Sequence, residues 1–238
     1  MSTETDIFQN IKEIYRRMSR AAMKADRNPA GVTLIAVTKT VETAAIREAV
    51  DAGLRVFGES RIQEAKAKIE ELPRVLTADG GLSTVSWHLI GHLQRNKAKT
   101  AVALFDLIHS LDSIDLALEI SRQAEKIGKI QEVLIEVKLS AEETKHGISK
   151  DDLPDLAAAI NRMTNLRLRG LMTVPPFFED PEEARPCFRE LRELKERLED
   201  RGFLLPELSM GMSHDFETAI EEGATMVRVG TAIFGTRK

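Results

Sequence analysis

The sequence predicts an α/β fold, a single-domain (β/α)8 TIM barrel spanning residues 1–238 with one extra helix at its N-terminus. Three observations predict it. Apolar runs of four to seven residues, each closed by Gly, Ser, Thr or a charge, alternate with longer stretches of helical period and mark eight strands. Such alternation calls for parallel strands whose faces are covered by the intervening helices. The chain has 238 residues, close to the roughly 250 typical of a closed barrel of this kind. The same elements in an open, doubly wound sheet are the alternative arrangement.

The first element is a helix. In "DIFQNIKEIYRRMSRAAMKA" Ile7, Ile11, Ile14, Tyr15, Met18 and Ala22 recur at amphipathic spacing, so all six are expected to pack inward. The strands follow as "VTLIAV" (32–37), "RVFG" (55–58), "SWHLIG" (86–91) and "FDLIHS" (105–110), then "EVLIEVKL" (132–139), "LRLRGLMTV" (166–174), "PELSMG" (206–211) and "TMVRVG" (225–230). Among the helices between them, "SRIQEAKAKIEEL" offers Ser60 and Gln63 as a capping box, and "SIDLALEISRQAEKIG" ends at Gly128. A helix over 184–202 should turn Phe188, Leu191, Leu194 and Leu198 inward. The stretches 73–84 and 174–186 read as loops; the second is rich in proline and acid and is placed to cover a site.

Hydrophobic residues make up 42% of the chain and charged ones 30%, enough apolar surface for one substantial core. A net charge of −4 gives no general attraction to nucleic acid or an anionic membrane, and "RNKAK" (95–99) reads as a solvated helix face. The single cysteine, Cys187, excludes an internal disulfide. With no signal peptide or long apolar run visible, the expected location is the cytoplasm and the expected state a monomer.

Chemistry in such a barrel gathers where the strands end. Lys39 follows strand one, Ser60 strand two, "SMGMSHD" (209–215) strand seven and "VGTAIFG" (229–235) strand eight. Glycines there let backbone N–H groups approach an anion, and Ser213 and Thr231 add hydroxyls, so a phosphate cradle is expected. Closure sets strand eight beside strand one, which brings Lys39 next to that cradle. A lysine there serves either as a counter-ion or as an amine that condenses with a phosphorylated aldehyde; apolar burial, by lowering its pKa, favours the second use. Strand parity puts Met226, Arg228 and Gly230 on one face and Val227 and Val229 on the other. Arg228 is then inside the barrel, where facing a pyridine nitrogen it would donate a hydrogen bond and leave that nitrogen unprotonated, a poor electron sink. His88 and His92 straddle a strand end and Gly91, so structural hydrogen bonding rather than metal binding is expected of them.

The segments "LIAVTKT", "FGESRIQEAKAK", "WHLIGHLQRNK", "RGLMTVPP" and "LSMGMSHDFETAIEEGATMVRVGTAIFG" resemble the YggS/PROSC family, the pyridoxal phosphate homeostasis proteins, which are similar to the barrel domain of alanine racemase. The resemblance implies pyridoxal phosphate held as an aldimine on Lys39, its phosphate bound by Ser213, Gly230 and Thr231 with help from the Met212 backbone, and Arg228 at its ring nitrogen. Ser60 stands where the family commonly has Asn, and His214 where it often has Asp. The implied role is a non-catalytic one in vitamin B6 homeostasis, with apo-enzymes that need the cofactor as possible recipients. A weak amino-acid racemase, a Schiff-base aldolase and an interaction module with a decayed site are the alternatives. The only tyrosine, Tyr15, lies in the opening helix and is expected to pack rather than act as a base.

Overall fold

The structure, a computed structural model, describes residues 6–72, 75–76, 82–83, 85–140 and 146–235. Eight parallel strands close into a barrel: β1 (Thr33–Val37), β2 (Val56–Glu59), β3 (Ser86–Leu89), β4 (Leu107–Leu111), β5 (Gln131–Glu136), β6 (Leu166–Met172), β7 (Glu207–Met212) and β8 (Met226–Val229). Each pairs with its neighbours in chain order, and β1 closes on β8 with Ile35 opposite Arg228. The predicted barrel is present in full. The open-sheet alternative is excluded by the β1–β8 pairing.

Strand parity sorts the core into two layers. Ile35, Leu107, Leu134, Met172 and Met226 fill the barrel, while Leu34, Ala36, Val227 and Val229 face the helical shell. That shell comprises α2 (Thr43–Asp51), α3 (Ile62–Glu71), α4 (Ala98–Leu104), α5 (Ile114–Lys126), α6 (Leu153–Asn161), α7 (Arg185–Glu199) and α8 (Phe216–Glu221), with a short α9 (Thr231–Phe234) after β8. Phe188, Leu191, Leu194 and Leu198 are the buried face of α7, as their spacing predicts.

The added helix α1 (Ile7–Lys24) starts where Asp6 accepts from the Gln9 N–H. It docks on α8 and α9, held by Arg17–Glu217 (2.6 Å) and by Asn10 Nδ2 donating to the Ile233 carbonyl (2.9 Å). Tyr15 departs from expectation. It is 43% exposed, because the buried stripe runs Ile7–Ile11–Ile14–Met18 and position 15 lies at its edge. The capping box at Ser60 is not formed either: α3 begins at Ile62, Arg61 is its N-cap, and no side chain caps it. Gly128 does end α5, adopting φ +65° while the Gly128 and Lys129 N–H groups bond back to Glu125 and Ala124.

The 73–84 stretch includes a two-stranded antiparallel ribbon, 75–76 with 82–83; the remainder of that loop lies outside the described residues. Among the described residues, no helix is long and apolar enough to cross a membrane.

Candidate functional site

The loop that carries Lys39 is held from both sides. Thr38, fully buried, donates its hydroxyl to Glu59 Oε1 (2.6 Å), and its carbonyl accepts from Lys68 Nζ and the Val41 N–H. The Thr40 N–H donates to Glu64 Oε1, and Thr40 sits at φ +62°, a conformation unfavourable for a β-branched residue unless its surroundings impose it. Lys68 Nζ joins the two carboxylates, at 2.7 Å from Glu59 and 2.6 Å from Glu64. Burial pushes the Glu59 carboxyl up, against the hydrogen bonds from Lys68 and Thr38. For Glu64 burial also pushes up, but the hydrogen bonds from Lys68 and the Thr40 N–H outweigh it and the carboxyl is lowered.

Sequence reasoning missed this trio. Glu64 and Lys68 stand four apart on α3, the spacing of an ordinary solvated pair. The only signal was Glu59 directly after the expected strand 55–58; the structure carries β2 through Glu59, where a buried carboxylate needs a cation nearby.

The facing wall comes from β7 and β8. Gly211 has φ +90°, and a Cβ there would lie 2.6 Å from the Ala219 Cβ, so only glycine lets β7 turn tightly into α8. Replacing Gly211 with Ala should cost about 3 kcal/mol in stability, from the left-handed backbone plus the overlap. Urea denaturation measures it; a loss below about 1 kcal/mol would contradict the packing described. Beyond this turn the Met212 N–H donates to Asp215 Oδ1 (2.6 Å), and the Gly230 N–H donates to Ser213 Oγ (3.1 Å), latching the two loops together. With its oxygen accepting from Gly230, the Ser213 hydroxyl still has its own proton to donate. The Met212 and Gly230 N–H groups are thus both engaged, one with Asp215 and the other with Ser213.

Arg228 points into the barrel, as parity predicts. Its Nη1 donates to Ser209 Oγ (2.6 Å) and the Ser209 carbonyl (2.9 Å), and its Nη2 to the Thr173 carbonyl (2.8 Å). Burial lowers its pKa to about 10, which leaves it protonated at neutral pH. Behind it Ser209 Oγ meets His109 Nδ1 (2.9 Å), and His109 Nε2 meets His88 Nδ1 (3.1 Å). Burial drives His88 down to about 4 and His109 well below its ordinary value, where the charges of His88 and Arg228 add to the effect. Both imidazoles are therefore neutral near pH 7 and form a structural relay. The hydrogen-bonding role expected for His88 is the one observed, while His92 lies on the rim beyond Gly91.

These walls enclose a cavity of about 340 Å³ at the C-terminal mouth of the barrel. Lys39, Ser60, Met212, Ser213, Arg228, Gly230 and Thr231 all line it, so the seven residues expected around the cofactor meet in one place. Lys39 is half-buried. Val37, Ile90 and Val174 supply the apolar lining, and His214 stands beside them. From the 174–186 loop, Val174 reaches the cavity and the Glu179 carbonyl accepts from His214 Nε2 (2.9 Å), so this loop does border the site.

Residues 6–238 match the family model described as alanine racemase, N-terminal domain. The chain is 44% identical over 231 residues to the pyridoxal phosphate homeostasis protein of Aquifex aeolicus, covering 97% of this chain and 98% of that one. The chain belongs to the pyridoxal phosphate homeostasis protein family. Its Escherichia coli relative of the same name is 38% identical over 232 residues, covering 98% of this chain and 97% of that protein. Among solved structures, PipY of Synechococcus elongatus, determined with PLP bound, superposes with a TM-score of 0.79 at 40% identity, over 92% of this chain and 100% of PipY. Alanine racemase of Clostridium difficile superposes at 0.70 over 100% of this chain and 60% of the enzyme, with 13% identity, a likeness of fold alone.

Proposed function

We infer that this chain holds pyridoxal phosphate reversibly, in the manner of a store that releases it to enzymes needing it, and does not turn over a substrate of its own. One observation carries this reading: an amine at the end of β1 and a hydroxyl-and-amide cradle at the ends of β7 and β8 adjoin across a single closed seam. The cavity volume lies within the range for small-molecule sites, about 300–1,000 Å³. The names of the relatives and the PLP-bound PipY structure support the same ligand.

In this reading the phosphate takes over the Gly230 N–H from Ser213 Oγ and is received by it, by the Ser213 hydroxyl and by Thr231, with Met212 lining the wall. Lys39 Nζ attacks the aldehyde carbon, a C=N bond forms, and the carbonyl oxygen leaves as water. Arg228 stays protonated and can only donate, so a ring nitrogen facing it remains without a proton. A ring held that way is a poor electron sink, which agrees with storage rather than carbanion chemistry. Ser60, which lines the opening, touches the ligand in this reading.

The test is a titration of purified protein with pyridoxal phosphate, followed by addition of an apo-enzyme. A near-visible Schiff-base band should appear, borohydride should fix it, and activity of the apo-enzyme should return as the band declines. Sustained racemisation of added amino acids would overturn the non-catalytic reading, and a protein that never acquires the band would overturn the binding itself.

A further inference from the structure

Three adjacent strand ends at the same mouth of the barrel bring together a second group of side chains. His92 follows β3, Asp112 follows β4, and His146 lies just before Ile148, which bridges to the continuation of β5. The two imidazoles stack at 3.8 Å between ring centroids and 11° between planes, and His92 Nδ1 stands 3.6 Å from Asp112 Oδ2. One donor atom from each of the three lies within 4.8 Å of the other two. Among the described residues this is the only group of three or more His, Cys, Asp or Glu side chains gathered so tightly. Neither imidazole hydrogen-bonds another described residue, although both stand where the backbone is fixed. The Ser110 hydroxyl donates to the Gly91 carbonyl (2.7 Å), and Gly147 at φ +115° lies against the Lys138 N–H, which itself bonds Ile148.

We propose that His92, Asp112 and His146 form a binding site for a first-row divalent transition-metal ion of the zinc class. In a tetrahedral site with bonds of about 2.0–2.1 Å, ligand atoms stand roughly 3.4 Å apart. The His92–Asp112 separation of 3.6 Å is already close to that edge; the near-parallel rings must unstack for their in-plane lone pairs to converge on one ion. Two imidazoles and one carboxylate suit this class over magnesium or calcium, which prefer all-oxygen sets. Three protein ligands leave a fourth position open to water or a small anion. None of the three lines the cavity of Lys39, although Ile90, two residues before His92, does, so the two sites are distinct neighbours at one mouth of the barrel.

The experiment is a Co²⁺ titration of the full chain after chelator treatment, read by visible absorbance, with Zn²⁺ as competitor. One equivalent should bind with tetrahedral or five-coordinate bands, and Zn²⁺ should displace it. His92→Ala, His146→Ala and Asp112→Asn should each weaken binding at least about tenfold. His146→Cys should keep binding and add a thiolate-to-cobalt charge-transfer band, a gain that a misfolded variant cannot produce. Absence of stoichiometric binding, or binding that the three weakening variants leave unchanged, would overturn the assignment.

Discussion

Lys39→Ala should abolish the near-visible band and all borohydride trapping of pyridoxal phosphate. The expected effect is complete because the Schiff base needs a primary amine at this place, and the cavity has no second lysine in its lining. Noncovalent affinity should fall without vanishing, since Ser213, Gly230 and Thr231, the proposed phosphate contacts, remain. Lys39→Arg separates the two uses of a cation beside an anion site. It preserves the charge, so affinity at low salt should exceed that of the alanine variant, yet the guanidinium cannot form the link and the band stays absent. A borohydride-stable adduct on Lys39→Ala would place the covalent link elsewhere in the chain. The fold itself should be undisturbed: Lys39 is half-buried and no described residue forms an ion pair or side-chain hydrogen bond with it, so thermal unfolding should shift little.

The legibility of this site had a definite physical basis and definite limits. Period-two alternation alone puts Arg228 inside and Val227 and Val229 outside, because parity in a strand is fixed by the backbone. The adjacency of β1 and β8 followed from closure alone. What local pattern does not encode is the partner supplied by tertiary packing. Ser60 and Gln63 have capping-box spacing, yet the chain leaving β2 enters α3 one residue later, with Arg61 as the N-cap. His88 and His92, read as a pair by spacing, diverge at Gly91, one joining His109 in the interior and the other Asp112 and His146 on the rim. The last of these comes from a loop 54 positions further on, a proximity that sequence spacing does not reveal. Likewise Lys68 resembles a surface lysine until α3 is laid against β2, where it is only 6% exposed.

That buried lysine carries the other large expected effect. Lys68→Met keeps the length and apolar body of the side chain but leaves Glu59, fully buried, without its cation. Removing one partner of a buried pair costs about 3–5 kcal/mol, because the remaining charge is neither solvated nor neutralised. In a chain of this size that corresponds to a fall in Tm of roughly 10 °C. The pH dependence identifies the cause. Glu59 is held above the ordinary carboxylate range, so the folded state takes up its proton first and its contribution to stability declines as pH rises through that window. Without Lys68 the window extends further upward. Glu64, lowered by Lys68 and the Thr40 N–H, contributes stability above the ordinary carboxylate pKa that is lost as pH falls through its lowered value, and the variant forfeits the share due to Lys68. Both changes have the same sign: the deficit of Lys68→Met against wild type should be greatest at neutral pH and shrink on acidification. Adding Glu59→Leu removes the stranded carboxylate and should recover most of the stability. It should not recover cofactor retention, since the Thr38 hydroxyl loses its acceptor at Glu59 and the Thr38 carbonyl its Lys68 donor, the contacts that set the backbone on either side of Lys39. A double variant that is stable and holds pyridoxal phosphate as firmly as wild type would show that the pair serves the fold alone.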